Sequence, residues 1–435
     1  MTLRLFISHS SHTEASRRLR DTIATHLAAQ AGIEVLWDSD IRPGDRWRSN
    51  LDEWLAECNG GVVLFTKDAV ASKWVLKEAQ ILTWRRAVAD HFPLVPVLLQ
   101  PVTSKETGLD DWQPVAINEI QFATGPDPET MDDDARTDLA KEIHRLIKQQ
   151  AGDTDFDDLE DPLQSWMAQL ADELVKAEEG NLEKAAQELG IDGRPPDTAR
   201  AQGWARMIAR RLLHFGCDPT VVGDPEHETF LRLAEILKRA THTLSDEKRK
   251  KVARQYFPMW VHPDAVRQVR PLATSGQAIA VNASAIESGR EYADRATFGL
   301  ASSSNCIVVV SDIHDGNPGM IFDRYHKELV EHFYLHEDVP EDWDDPALFA
   351  EWVRALEGTR ANKSTDIFVV LHKDGCDASV LRRLRERYPP FTFLLLVGPK
   401  AAALARLDPG TVTLLQPSVA PDHERDIRQK FSEFA

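Results

Sequence analysis

The chain has 435 residues, of which 42% are hydrophobic and 28% charged, and its formal net charge is −19. This length is too great for one ordinary hydrophobic core and predicts roughly two to four domains. No apolar run reaches the roughly 18 residues that a membrane-spanning helix needs, and we expect no leader peptide before the first predicted strand. We therefore expect a cytoplasmic protein that is not embedded in a membrane. The negative charge also opposes binding to a nucleic-acid backbone.

The cysteine and histidine spacings do not indicate a metal site. The four cysteines lie far apart without a C-x-x-C pair, which favours reduced thiols over disulfides: Cys58, Cys217, Cys306 and Cys376. His332 and His336 have a helical metal-ligand spacing, but no cysteine lies near them and an acidic loop follows. We interpret these two histidines as a solvated helix end and predict no bound metal.

The first 152 residues alternate strand-like and helix-like segments, as in a parallel α/β sheet. Apolar segments at 3–8, 33–37, 61–66 and 92–100 predict strands. Amphipathic segments predict helices at 15–29, 50–58 and 135–150, and residues 73–90 form a further helical stretch. We therefore predict one α/β domain over residues 1–152.

The rest of the chain predicts three further regions. Residues 153–161 are acidic with few apolar anchors and indicate a linker. Residues 162–260 show helical apolar periodicity throughout and indicate a helical module. Residues 261–435 return to alternating strands and helices, which predicts a second α/β domain with a mainly parallel sheet.

Three short motifs in the first domain occur in a characteristic order. Residues 6–10 read FISHS at the end of the first predicted strand, and residues 41–44 read IRPG after the second. After the third strand, Ser72 is a predicted helix N-cap, and Trp74 and Glu78 follow with i, i+4 spacing on that helix. These segments resemble the first box, the second box and the catalytic-helix signature of the TIR domain.

The resemblance covers residues 1–150 and implies a flavodoxin-like parallel sheet in which the second box forms the BB loop. In TIR enzymes the glutamate that matches Glu78 is essential for cleavage of NAD+, which is a substrate and not a cofactor. The resemblance therefore implies an NAD+ glycohydrolase with Glu78 as its catalytic carboxylate. This sequence departs from common TIR patterns at His9, where many members have tyrosine, and at Val75, where plant relatives often have cysteine.

Other residues near the motifs are candidates for binding NAD+. Phe6, Trp37 and Trp74 could lie against the nicotinamide or adenine ring. Ser8, Ser10 and Arg42 could bind ribose or phosphate groups. The alternative for the three aromatic residues is that they only fill the core or pack their helix.

TIR enzymes generally become active when several TIR domains assemble, so the resemblance also implies homotypic assembly. Other TIR domains are adaptors without catalysis, and a non-catalytic signalling scaffold is therefore the alternative function. Residues 180–191 resemble the first half of a Fis-type helix-turn-helix, but Pro195 and Pro196 follow where a recognition helix should begin. We accordingly predict no DNA binding.

The C-terminal region lacks both G-x-x-x-x-G-K-[ST] and G-x-G-x-x-G after its predicted strands, which argues against an ATPase. Its strand at 306–310, leading through Gly316 into a helix, faintly resembles the inactive STAND domains of bacterial conflict systems. That resemblance implies an antiphage defence protein. In such a protein the C-terminal domain would respond to a trigger or partner protein and the TIR domain would be the effector.

Overall fold

The computed structural model describes residues 2–37, 47–88, 92–107, 122–152, 162–191, 195, 199–217, 228–262, 265–266, 268–269, 278–297, 306–307, 318–333, 367–372, 377–389, 391–398, 412–416 and 418–434. The chain divides into two compact units, Met1–Tyr256 with Phe434–Ala435, and Phe257–Glu433. None of the helices among the described residues is both long enough and apolar enough to cross a bilayer.

The first unit begins with a sheet of five described strands, all parallel, in the order β2-β1-β3-β4-β5. The strands are β1 (Leu3–Ser8), β2 (Ile33–Leu36), β3 (Gly60–Phe65), β4 (Leu94–Leu99) and β5 (Ala123–Gly125). The helices around it are α1 (Glu14–Ala28), α2 (Trp47–Glu57), α3 (Lys67–Ala71), α4 (Lys73–Val88) and α5 (Asp133–Ala151). This strand order is that of flavodoxin-like folds and confirms the predicted parallel α/β architecture.

Two short elements of this sheet region were missed by the sequence-based prediction. Helix α3 has only five residues, and its N-terminus is capped by Thr66, whose hydroxyl accepts a hydrogen bond from the Ala69 amide at 3.1 Å. Strand β5 has three residues, Ala-Thr-Gly, and gains its extended form by pairing with β4. Neither element is long enough to show a periodic pattern of its own.

The helical module lies within the first unit. It comprises α6 (Pro162–Leu174), α7 (Glu179–Glu188), α8 (Arg200–Cys217), α9 (Glu228–Ala240) and α10 (Asp246–Tyr256). Helix α7 ends in a Schellman motif, in which Gly190 has φ +67°, its amide bonds to the Gln187 carbonyl, and the Ile191 amide bonds to the Ala186 carbonyl. The next described helix is α8, so the described residues show no recognition helix directly after α7.

The second unit has its own sheet, with five described parallel strands in the order β10-β6-β9-β8-β7. The strands are β6 (Ala278–Val281), β7 (Cys306–Ile307), β8 (Ile367–His372), β9 (Phe391–Leu396) and β10 (Val412–Leu414). The helices are α11 (Ile286–Thr297), α12 (Pro318–Phe333), α13 (Ala378–Arg387) and α14 (Pro421–Phe434). The predicted second α/β region is thus confirmed.

The turn between β6 and α11 is closed by a carboxylate from another helix. Glu424 on α14 is buried, and both of its oxygens accept the Ser284 amide at 2.9 Å. The Ala285 amide and the Ser288 hydroxyl also donate to this carboxylate, at 2.8 and 2.7 Å. Glu424 therefore acts as an N-terminal cap for α11, where the helix dipole favours negative charge.

The segment after β7, on which the STAND resemblance depends, lies outside the described residues.

Candidate active site

The alternation of side chains along β1 places the first motif on both faces of the sheet. Leu3, Leu5 and Ile7 join the core cluster that α1 and α5 cover. Because successive side chains in a strand point to opposite faces, Arg4, Phe6 and Ser8 point towards the other face. This second face is the one that carries α2 and α4.

Ser8 is the last residue of β1, and its hydroxyl donates a hydrogen bond to Oε2 of Glu78 on α4 at 2.6 Å. Both side chains are buried, with 1% and 8% of their surfaces exposed. In a sheet of order 2-1-3-4-5, the connections after β1 and β3 leave in opposite directions, and ligands bind at the carboxyl ends of these two strands. Ser8 ends β1, and Glu78 lies on the second helix after β3, so their contact falls at this position.

Helix α4 places Glu78 on its inner surface. Its first residue follows Ser72, whose hydroxyl accepts the Val75 amide at 3.4 Å, in agreement with the predicted N-cap. Val75, Ala79 and Leu82 form a buried stripe at helical spacing, and Glu78 lies in this stripe. A carboxylate in an apolar stripe costs desolvation free energy, so the position needs a polar contact such as the Ser8 hydroxyl.

The remaining candidates on this face differ in exposure. Phe6 is 2% exposed in the middle of β1, whereas Trp74 is 38% exposed one turn before Glu78. The ammonium group of Lys77 lies 5.9 Å from the centroid of the Trp74 ring. Ser10 lies in the half-buried loop that follows β1. Phe6 thus fills the interior, and Trp74 is the aromatic side chain of this group that solvent reaches.

Trp37 packs against the core cluster on the α1 and α5 face. The guanidinium of Arg20 on α1 lies 5.0 Å from the centroid of its ring, in a cation–π arrangement. One side of the ring is therefore already in contact with the protein, which favours a packing role. Contact of Trp37 with a substrate ring stays a prediction.

Arg20 also fixes the loop after β1, a role that the sequence-based prediction missed. Its Nη1 donates to Nε2 of His9 at 2.8 Å, and its Nη2 pairs with Asp21 at 2.7 Å. Because a guanidinium can only donate, His9 Nε2 accepts, and the ring proton belongs on Nδ1, 3.3 Å from the Ile7 carbonyl. The sequence did contain a signal for this role, because Arg20 lies beside Leu19 and Ile23 on the apolar side of an amphipathic helix.

Several other predicted site residues lie outside the part of the chain that the structure describes. Arg42 and the second box lie outside the described residues, as does His336, and the side chain of His332 is not described. Within the part of the chain that the structure describes, no three metal-ligating side chains come together. The Cys58 side chain is buried and forms no disulfide within the described part of the chain.

The comparison with known families covers the region just described. Residues 5–139 match the family model of the TIR domain. This segment contains all but the first two residues of β1, all of β2 to β5 and α1 to α4, and the Ser8–Glu78 contact. The N-terminal segment is a TIR domain. No curated protein matches the chain significantly. The TIR assignment thus confirms the fold that the three motifs predicted.

Proposed function

We propose that this TIR-domain protein is an NAD+ glycohydrolase that cleaves the bond between nicotinamide and ribose. The observation that supports the proposal best is the buried Glu78 carboxylate, held by Ser8 at the carboxyl end of β1 in a TIR domain. The position agrees with the ligand-binding edge of flavodoxin-like sheets. The residue agrees with the glutamate on which TIR enzymes depend.

A single carboxylate is chemically sufficient for this reaction. When the bond between C1′ of ribose and the nicotinamide nitrogen breaks, the electron pair leaves with nicotinamide, which departs as a neutral molecule. The ribose carbon becomes oxocarbenium-like and positive, and Glu78 would stabilise that charge. Water then adds to C1′ and releases a proton, which gives ADP-ribose. If a group of the substrate adds instead, the product is a cyclic isomer.

The other candidate residues would bind the rest of NAD+. We assign the exposed Trp74 to the ring-binding surroundings, and Ser10 and Arg42 to the ribose and phosphates. Contact of Phe6 and Trp37 with a substrate ring stays a prediction. Ser8 is better suited to position the carboxylate, because its hydroxyl already donates to Glu78.

The physiological part of the proposal is that cleavage occurs in the cytoplasm after TIR domains assemble. NAD+ is needed by every cell, so an enzyme that destroys it has to be restrained until a signal arrives. Depletion of NAD+ during infection would make the protein an antiphage defence effector. A trigger or partner protein acting on the second unit would supply the signal.

The proposal is tested by incubating the concentrated 435-residue protein with NAD+ and measuring nicotinamide release, with products identified by mass. We expect Glu78→Ala to lower the rate by about 10²-fold or more, the range for a positioned catalytic carboxylate. Unfolding temperatures of both proteins show whether the variant is folded. Activity that survives Glu78→Ala in a folded protein contradicts the assignment.

The second candidate function is a non-catalytic signalling scaffold. It is favoured by the burial of Glu78, because a carboxylate that is 8% exposed and bonded to a strand-end hydroxyl could serve only to join α4 to β1. In that case concentrated wild-type protein releases no nicotinamide, and Glu78→Ala lowers the unfolding temperature instead.

A further inference from the structure

The helical module packs directly on two helices of the TIR domain. Helix α8 lies against α2 and α4, and α6 lies against α2. At this contact the Nη1 atom of Arg210 on α8 is 3.1 Å from Oε1 of Glu53 on α2, and Nη2 pairs with Glu57. Glu53 and Glu57 are one turn apart on α2, so Arg210 also relieves their mutual repulsion.

Glu57 connects this contact to the first strand of the sheet. Its Oε2 atom accepts a hydrogen bond from Nη1 of Arg4 on β1 at 2.8 Å. Arg4 and Ser8 are on the same face of β1 because they are four residues apart. The strand that presents Ser8 to Glu78 is therefore tied to α2, and through Glu57 to the helical module.

Helix α2 is also tied to the helix that carries Glu78. Arg85 on α4 is 1% exposed, and its guanidinium donates to the Leu55 carbonyl of α2. The same Nη1 atom lies 3.5 Å from the Cys58 thiol, one residue beyond α2. The contacts Arg4–Glu57, Ser8–Glu78 and Arg85–Leu55 thus form a closed ring of β1, α2 and α4. Arg210 is connected to this ring through its ion pairs with Glu53 and Glu57 on α2.

We propose that Arg210 is a positioning residue for Glu78, so that the catalytic body of this protein is the TIR domain together with the helical module. This inference rests on the proposed NAD+ cleavage. Arg210 holds α2, and α2 fixes α4 and β1 in the register that brings Ser8 to the carboxylate. The module and the TIR domain belong to one compact unit, as expected if the module supports the TIR domain in every state of the protein.

The contact can be tested by charge reversal because its groups are only partly buried. The exposed fractions of the side chains are 23% for Arg210, 45% for Glu53 and 30% for Glu57, so each can be exchanged without disrupting a core. Arg206→Glu is the matched control, since Arg206 lies one turn away on α8, is exposed, and forms no ion pair among the described residues.

The experiment uses the whole 435-residue chain and compares wild type with Arg210→Glu, Glu53→Arg, the double exchange of both residues, and Arg206→Glu. We expect Arg210→Glu to lower kcat for NAD+ about three- to tenfold with little change in KM, because a small misplacement of the carboxylate affects the reacting step. The double exchange should restore kcat only in part, because it re-forms the ion pair between positions 210 and 53 but leaves Glu57 beside a carboxylate. Arg206→Glu should match wild type. If Arg210→Glu folds poorly, Arg210→Gln removes the pairs without reversing the charge.

Hydrogen exchange provides a readout that does not depend on NAD+ cleavage. We expect the amides of α4 to exchange faster in Arg210→Glu than in wild type or Arg206→Glu. Unchanged exchange, an unchanged kcat, or an increased kcat in Arg210→Glu overturns the positioning role. If wild type does not cleave NAD+, the proposed function fails. The exchange rates then decide alone whether Arg210 positions the Glu78 helix.

Discussion

The two sheets each place a buried carboxylate beyond the end of their first strand in chain order, and the two carboxylates have different partners. In the second unit, Glu424 accepts two backbone amides and a hydroxyl at the start of α11. In the TIR domain, Glu78 lies in the apolar stripe of α4 and receives the hydroxyl of Ser8. Burial alone therefore does not distinguish a structural carboxylate from a catalytic candidate.

The donors explain the difference. Backbone amides at a helix N-terminus are fixed by the fold, and a carboxylate that binds them with both oxygens satisfies the helix end. A serine hydroxyl can rotate, and its hydrogen bond to Glu78 orients a side chain and does not close a helix end. We interpret Glu424 as a cap and Glu78 as a group oriented for chemistry.

The sharpest test of this comparison is the same substitution at both positions. Glu78→Gln keeps the size of the side chain but removes its charge, so NAD+ cleavage should fall about 10²-fold or more with little loss of stability. Glu424→Gln places an amide group against amide donors and should destabilise the second unit by about 1–3 kcal/mol. Nicotinamide release and thermal unfolding measure the two effects.

The comparison predicts opposite outcomes in the two assays. Glu424→Gln should leave the rate per folded molecule unchanged at a temperature below its unfolding transition. A large loss of stability in Glu78→Gln, with a small loss of rate, would mean that Glu78 is structural in the same way as Glu424.

A smaller effect is expected at the hydroxyl that orients Glu78. Ser8→Ala removes a hydrogen bond to a charged group, and we expect kcat to fall roughly tenfold with little change in KM. Ser10→Ala serves as the contrast, because a residue that binds ribose or phosphate should raise KM instead. If Ser8→Ala raises only KM, Ser8 binds substrate and does not position the carboxylate.

The smallest effect is a pH dependence that differs between the two units. In the first unit the pKa of His144 is lowered from its ordinary value of 6.5, first by burial and then by the charges of Lys148 and His26. The unfolded chain therefore binds more protons than the folded chain below about pH 6.5, and stability falls as the pH drops. When the pH is lowered from 7.5 to 5.5, we expect the unfolding temperature of the first unit to fall by about 1–2 °C more in wild type than in His144→Gln.

In the second unit burial raises the pKa of Glu291, although the ion pair with Arg428 opposes the shift. A raised pKa in the folded state contributes stability that is fully present at low pH and is lost as the pH rises. Acidification should therefore raise the unfolding temperature of the second unit while it lowers that of the first unit. Two transitions that move down together by equal amounts on acidification would contradict both assignments.

The sequence by itself determined the elements with clear periodicity. Alternation in residues 3–8 predicted β1 over its full length, and Ser72 before a helical stretch predicted the start of α4. The spacing of Trp74 and Glu78 after the third strand carried the resemblance to the TIR signature, which supplied Glu78 as the candidate carboxylate. These features depend on local preferences, which a few neighbouring residues set.

Only the tertiary structure decided which side chains meet. The Ser8–Glu78 bond joins residues 70 positions apart, and Arg210 reaches Glu53 across 157 positions. The packing of Arg20 over Trp37 changed the interpretation of an aromatic residue that the sequence placed at the site. Such pairs form because the fold brings distant backbones together and buried polar groups then need partners, a requirement that no local pattern of residues records.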